Sequence, residues 1–227
     1  MRRSVMTALL LAGATVAHAQ GATVEAVCPI DGERFKYQTA PQRTTNETYL
    51  DQRPVDPAFP WPYAKCPTSG FVIYRNNFPR SRIAKLQDFV KTDEYQRAAK
   101  IHTTHYLEAL MRRQLGDSPY AIAYALLQAS WEVSADPARY KQYAGEALAA
   151  YDAIPLDSLP EIRERIFKQL ISGELARRLG AFDSAEERFL KMRDSAELSK
   201  PFFQKIVELQ LRLVRAKDSS PQRIPYK

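Results

Sequence analysis

The chain has 227 residues, 45% of them hydrophobic, which is enough for one compact domain with a small appendage. Its 33 basic and 26 acidic residues give a formal charge of +7, a modest excess that favours anionic partners. Opposite charges are interleaved along the C-terminal half, as on solvated helix faces, and no basic stripe with interleaved aromatic residues indicates nucleic-acid binding.

The N-terminus has the organisation of an export signal. Two arginines precede an apolar run over residues 6–16, and Ala17-His18-Ala19 forms a small-x-small cleavage site. We therefore expect residues 1–19 to be a signal peptide and the product to be periplasmic or secreted. An uncleaved anchor is the alternative, but the apolar run is shorter than a spanning helix, and no later segment reaches the roughly 18 apolar residues of a membrane span.

Two turn motifs, Cys28-Pro29-Ile30-Asp31-Gly32 and Cys66-Pro67-Thr68-Ser69-Gly70, each contain one cysteine. A zinc ribbon has C-P-x-C-G at both places, because a structural zinc site needs four thiolate or imidazole ligands. Here an aspartate and a serine stand at the second cysteine positions. We expect Cys28 and Cys66 to form a disulfide instead, because export brings them into an oxidising compartment.

Two other interpretations of the cysteines are open. Cys28, Asp31 and Cys66 could hold a metal with an open fourth position, although an oxidising compartment competes for the thiolates. The Cys-x-x-Ser spacing is also similar to a monothiol redox motif. That chemistry needs the cysteine at a helix N-terminus in a βαβ unit, which the sequence does not indicate.

Residues 20–80 are predicted to form a small β-rich, zinc-ribbon-like head. Short alternating apolar runs at 34–37 and 71–74 predict strands. The proline-rich connector at 54–62 cannot be helical. We expect the disulfide to close this head, which has little core of its own.

After residue 80 the hydrophobic period changes to 3.6 residues, which predicts a helical domain over 81–217 and a polar tail at 218–227. An N-cap oxygen followed by proline or a capping-box acid marks the helix starts, at Ser118-Pro119, Asp136-Pro137, Ser158-x-x-Glu161, Asp183-x-x-Glu186 and Ser199-x-Pro201. These signals predict seven helices, at roughly 81–91, 93–115, 119–133, 137–153, 160–179, 184–197 and 201–216.

One predicted helix pair has a repeat signature, Gly173-x6-Gly180-x4-Ala185-x3-Phe189, which resembles a tetratricopeptide repeat. The first glycine would let two helices approach closely, and the second would form the turn. An earlier segment shows the spacing more weakly, at Ala109, Gly116, Ala121 and Ala125. The expected fold is therefore mainly α, a tetratricopeptide-like solenoid of helical hairpins, with a plain helical bundle as the alternative.

The knuckles, the connector VDPAFPWPYAKCP and the segment GFVIYRNNF together resemble a bacterial family, domain of unknown function family 2225. Its members combine two C-P-x-C-G knuckles with tetratricopeptide-like helices. The matching residues are Cys28, Pro29, Gly32, Asp56, Pro57, Tyr63, Cys66, Pro67 and Gly70. The resemblance implies no catalytic residue, and both missing second cysteines depart from the metal site that the family's knuckles imply.

His102 and His105 are the two histidines that follow the signal peptide. On one helix over 93–115 they would lie one turn apart and could share a metal or a proton. No Glu-x-x-His pattern supplies a carboxylate ligand, and His102 continues an apolar stripe, which favours a packing role. No G-x-S-x-G elbow indicates a serine hydrolase. No catalytic residue, metal site or cofactor is predicted.

These patterns favour an exported, non-enzymatic interaction or scaffold protein that binds a protein or peptide partner in the cell envelope. Helical repeats present a concave surface, and aromatic and arginine side chains there suit such a partner. The residues expected to be exposed on that surface are Tyr106, Arg112, Arg113, Arg177 and Arg178. The alternative is a metal-dependent envelope hydrolase with cysteine, aspartate and histidine ligands.

Overall fold

The structure, a computed structural model, describes residues 21–56, 58–195, 198 and 200–225. The predicted signal peptide lies outside these described residues. The described part of the chain forms two small antiparallel sheets followed by eight α-helices, so the mainly helical class is confirmed. Within that part, no helix has both the length and the apolar character needed to cross a membrane.

Two β-hairpins form the N-terminal part. Strand β1 (Thr23–Val27) pairs with β2 (Arg34–Gln38), and the shorter β3 (Ala64–Lys65) pairs with β4 (Val72–Ile73). In β1 and β2 exposed residues alternate with half-buried ones, as expected for strands with one face on the protein. Each hairpin turn is one of the two cysteine motifs.

The two cysteine turns have the same backbone design. The amide of Gly32 donates to the carbonyl of Cys28 at 2.9 Å, and the amide of Gly70 donates to the carbonyl of Cys66 at 3.0 Å. Both glycines have a positive φ, at 75° and 69°, which explains why glycine follows each cysteine by four residues. Cys28 and Cys66 form a buried disulfide with Cα atoms 5.7 Å apart, so that prediction is confirmed.

The helices follow in chain order. They are α1 (Arg80–Phe89), α2 (Asp93–Ile101), α3 (Thr104–Leu115), α4 (Pro119–Glu132), α5 (Pro137–Asp152), α6 (Ile162–Arg178), α7 (Phe182–Arg193) and α8 (Pro201–Arg215), with a 3-10 turn at Leu156–Ser158. From α3 to α8 each helix packs against the next, and α6 also contacts α8.

Two predicted caps are confirmed. The Ser118 hydroxyl accepts the Ala121 amide at the start of α4, and the Asp136 carboxylate accepts two first-turn amides of α5. The predicted cap at Asp183 is wrong, because α7 begins at Phe182, directly after the turn at Gly180.

The predicted single helix over 93–115 is also wrong, because it breaks at His102, whose backbone is extended. A carboxylate from α4 stabilises the new helix start: Glu132 accepts the amide of His105 at 3.1 Å and the hydroxyl of Thr104 at 2.9 Å. Periodicity along the chain could not reveal the break, since the capping group is 27 residues away from the amide that it accepts.

The pair α6 and α7 has the close contact that the repeat signature predicts. A Cβ placed on Gly173 would lie 2.5 Å from the ring of Phe189, so the helices approach too closely there for a side chain. Ala185 and Phe189 are fully buried beside it. Gly180, at φ 79°, makes the turn between the helices.

The hairpins do not enclose a core of their own. Cys28, Cys66 and Phe71 belong to the same apolar cluster as Leu86 of α1 and Leu107 of α3. The Tyr95 hydroxyl of α2 also donates to the carbonyl of Gly70 at 3.0 Å. The N-terminal part therefore shares its core with α1 to α3.

The predicted polar tail is an ordered part of the fold as far as it is described. Ile224 is buried in the cluster formed by α6, α7 and α8. Its amide donates to the carbonyl of Thr48 at 2.9 Å, and the amide of Leu50 donates to the carbonyl of Gln222 at 2.8 Å. One buried apolar side chain and backbone pairing with residues 48–50 therefore fix this segment on the protein.

Candidate functional site

The predicted partner-binding arginine Arg177 is fully buried, so the expectation of a solvent-facing side chain is wrong. Its guanidinium pairs with the buried carboxylate of Glu174 at 2.8 Å and donates to Gln210 of α8 at 3.0 Å. It also donates to the carbonyls of Asp218 and Ser220. Arg177 therefore joins α6, α8 and the C-terminal segment, because a buried guanidinium needs an acceptor for each donor.

Of two more predicted contact residues, Tyr106 is buried and Arg178 is half-buried, with 9% of its side chain exposed. The Arg178 guanidinium lies 4.9 Å above the ring of Tyr140, and the Tyr106 hydroxyl donates to Glu146 at 2.7 Å. Their side chains serve helix packing, so their expected exposure is wrong. The position of a residue on a predicted helix does not show which face of that helix the neighbouring elements cover.

Arg112 is half-buried between two acids. Its guanidinium lies 2.7 Å from Glu108 and 3.1 Å from Asp117. Arg113, by contrast, is exposed on the same helix. Of the five predicted contact residues, Arg113 alone has the expected free surface, and its role in binding stays a prediction.

The two histidines do not lie together on one helix. His102 stacks on the ring of Tyr106, with ring centres 3.9 Å apart, and its Nδ1 lies 2.6 Å from the hydroxyl of Tyr143. Burial lowers the pKa of His102, which favours the neutral ring. These contacts support the predicted packing role. No group of three potential metal ligands occurs among the described residues.

A cleft of about 530 Å³ lies where the connector crosses helices α3 and α4. Six aromatic side chains line it, beside prolines and polar residues. The aromatic side chains are Tyr37, Phe59, Trp61, Tyr63, Tyr124 and Trp131. We call this site the aromatic cleft. Deep apolar pockets with a few polar groups are the usual form of a ligand site.

Hydrogen bonds hold the connector in its extended path beside the cleft. The Trp61 indole N–H donates to the carbonyl of Gln38 at 2.9 Å, which fixes the ring against strand β2. The Tyr63 amide donates to the hydroxyl of Thr104 at 2.9 Å. Prolines at 54, 60 and 62 keep this segment from becoming helical, so the backbone amides that remain bind neighbouring elements instead.

A buried polar cluster lies at the base of the cleft. The His105 Nδ1 lies 2.9 Å from a carboxylate oxygen of Glu132, and the His105 ring packs on Tyr63 with centres 4.4 Å apart. Burial would raise the pKa of the Glu132 carboxyl, but its hydrogen bond and charge interaction with His105 outweigh burial and lower the pKa.

Glu108 extends this cluster below Tyr63. Burial raises the pKa of the Glu108 carboxyl, although Arg112 opposes the rise. Burial also raises the pKa of the Tyr63 hydroxyl, and the nearby Glu108 adds to it. The contacts of Tyr63 with Thr104 and His105 fix the connector on α3, while one carboxylate oxygen of Glu108 is buried without a hydrogen-bond partner.

The aromatic cleft carries little charge. Among the described residues that line it, Arg43 carries the one permanent charge and none is acidic. The indole N–H of Trp131 is buried in the wall without an acceptor. Amide side chains of Gln38, Asn76 and Gln128 also line the cleft. The site therefore offers flat apolar faces together with hydrogen-bond donors.

Sequence reasoning did not identify the cleft as a site. The clustering of aromatic residues and prolines in the connector was a usable signal, because the segment from 59 to 63 reads FPWPY.

No family model, curated protein or solved structure matches the chain.

Proposed function

We propose that this protein is an exported, non-enzymatic interaction module that binds a protein or peptide partner in the cell envelope through the aromatic cleft. The observation that carries the proposal is the set of six aromatic side chains around one open cleft. Aromatic anchors in pockets supply most of the binding energy at many protein interfaces. The cleft replaces the arginine-lined surface expected from the sequence.

The chemistry of the cleft suits an extended, proline-containing segment. Grooves lined by aromatic rings bind polyproline II segments, whose backbone makes no internal hydrogen bonds and keeps its carbonyls free to accept. The Trp131 indole N–H needs such an acceptor, and the Gln128 amide can supply another donor. None of the described lining residues is acidic, so no carboxylate in the cleft would repel the carbonyl oxygens of the bound segment.

Export is part of the proposal. The Cys28–Cys66 disulfide supports an oxidising compartment, since structural disulfides are rare in the reducing cytosol. The predicted metal-dependent hydrolase loses two of its ligands, because both cysteine sulfurs are joined to each other. A degenerate zinc-ribbon origin for the two cysteine turns, and stacking of the helices as tetratricopeptide-like repeats, belong to the same proposal.

The cleft contains both tryptophans of the chain, so intrinsic fluorescence reports its occupancy directly. We expect titration with a panel of synthetic proline-rich peptides to change the emission of Trp61 and Trp131. Tyr124→Ala removes an exposed ring from the cleft and should weaken binding about tenfold, as the loss of an interface anchor does.

Phe202→Ala is the matched control, because Phe202 is similarly exposed on α8 but does not line the cleft. Its affinity for the same peptides should equal that of the parent protein. Peptides that bind both variants and the parent equally well would place binding elsewhere. An emission spectrum that no proline-containing peptide changes would reject this class of ligand.

A further inference from the structure

A second cavity, of about 310 Å³, lies between α6 and α7. We call it the α6–α7 pocket. Helix α6 contributes Lys168 and Ser172, and α7 contributes Arg188 and Lys191. Unlike the aromatic cleft, this pocket is lined by polar and basic side chains, so its chemistry is independent of the proposed function.

Two of the basic groups already have acidic partners. Arg188 makes a bidentate pair with Asp152, at 2.7 and 2.8 Å. Lys191 lies 2.6 Å from Glu187, which also lines the pocket. Both acids are therefore already paired, and they leave little negative charge to neutralise another basic side chain in the pocket.

Lys168 is the remaining base. It is half-buried, and among the described residues it forms an ion pair with no carboxylate. Burial lowers the pKa of its amine, and Arg188 adds to that effect while Asp152 opposes it. A positive charge without a carboxylate partner attracts an anion, so this position favours an incoming negative charge.

Ser172 provides the second, independent observation. Its side chain is 2% exposed, it lines the pocket, and its hydroxyl has no hydrogen-bond partner. A serine inside a helix commonly donates to the carbonyl four residues earlier, but this hydroxyl does not. Buried hydroxyls are nearly always hydrogen-bonded, so the pocket lacks an acceptor beside Ser172.

We propose that the α6–α7 pocket binds the phosphoryl group of a phosphate ester, whose oxygens accept hydrogen bonds from Lys168 and Ser172. Arg188 and Lys191 also line the pocket, but they are paired with Asp152 and Glu187, so Lys168 supplies the unpaired positive charge. A phosphoryl group has three terminal oxygens, which suits donors that converge from two helices, whereas a carboxylate has two. The volume leaves room for part of the group attached to the phosphate.

Calorimetric titration with glycerol phosphate tests the proposal. We expect saturable binding to the parent protein, at least tenfold weaker binding to Lys168→Met, and a smaller loss for Ser172→Ala. Lys168→Arg should recover part of the affinity, because it restores the charge. Lys141→Met is the matched control, because Lys141 is exposed on α5 and does not line the pocket.

Circular dichroism of each variant checks that the fold is intact. Vesicles containing phosphatidic acid then distinguish a lipid from a soluble ester as the source of the phosphoryl group. Binding to the vesicles would assign a lipid headgroup. Binding to glycerol phosphate without binding to the vesicles would assign a soluble ester.

Two results would overturn the proposal. One is affinity for acetate equal to that for glycerol phosphate, and the other is a folded Lys168→Met variant that binds as the parent does.

Discussion

Gly173→Ala is expected to destabilise the protein even though alanine is the better helix former. A Cβ at this position would lie 2.5, 2.7 and 3.0 Å from three ring atoms of Phe189, where ordinary contacts are 3.4 Å or longer. Phe189 is fully buried, so its ring cannot swing into solvent. Either the ring or the whole of α7 must move by most of an ångström.

The magnitude follows from two opposing effects. Overpacking a well-packed core costs about 1–3 kcal/mol, whereas replacing glycine by alanine within a helix gains about 0.5–1 kcal/mol. The net loss for Gly173→Ala is therefore about 0–2.5 kcal/mol. In a protein of this size that lowers the melting temperature by up to about 10 °C. Urea denaturation followed by circular dichroism measures the same change as a free energy of unfolding.

The chain offers a matched control in Gly145, which lies inside α5 and would have no atom within 4 Å of a new Cβ. Gly145→Ala should stabilise by about 0.5–1 kcal/mol, because it retains the entropy gain without the clash. Combining Gly173→Ala with Phe189→Leu should recover most of the overpacking cost, since leucine lacks the ring atoms concerned. Equal stabilisation by Gly173→Ala and Gly145→Ala would refute the close contact between α6 and α7.

Three further predictions follow from buried groups. Under denaturing, non-reducing conditions no thiol should react with a maleimide, and reduction should expose Cys28 and Cys66 together; a reactive thiol before reduction would contradict the disulfide. Opening its 38-residue loop should lower the free energy of unfolding by about 4 kcal/mol on the chain-entropy model. Arg177→Met should lower the free energy of unfolding, measured by urea denaturation, by about 3–5 kcal/mol, because it leaves the buried carboxylate of Glu174 unpaired. The control Arg113→Met, on the exposed face of α3, should change it by less than about 0.5 kcal/mol. Burial raises the pKa of Glu174 from 4.5 to about 7, so the folded state binds more protons in this window, and stability should fall as pH rises from 4.5 to 7. Glu174→Gln should flatten this pH dependence, and an unchanged slope in the variant would assign it to other groups.

Local chemistry along the chain was sufficient for several features. Ser118 and Asp136 mark helix starts because their side chains bind amides two or three residues later. The disulfide was also predictable, since two cysteines in a chain with a predicted export signal have few other partners. The small residue at Gly173 followed from its spacing to the turn and to Phe189.

Tertiary structure decided the features that depend on distant partners. The break at His102 relies on Glu132 of another helix, and the burial of Arg177 relies on the C-terminal segment that supplies two carbonyls. No periodic pattern contains that information, because a charged side chain on a helix is compatible with both solvent and a satisfied buried site.

The same distinction applies to the candidate sites. Composition revealed an aromatic, proline-rich connector, but only the packing of that connector on α3 and α4 brings Trp61 together with Tyr124 and Trp131. Likewise, nothing in the sequence distinguishes Ser172, and only the packing of α6 and α7 shows that its hydroxyl is buried without a hydrogen-bond partner. The sequence alone determined those caps and turns whose partners are near neighbours, such as Ser118, Asp136 and the two cysteine turns. The tertiary structure determined which side chains are exposed, paired or gathered into a cleft, because desolvation and packing depend on residues far away in the chain.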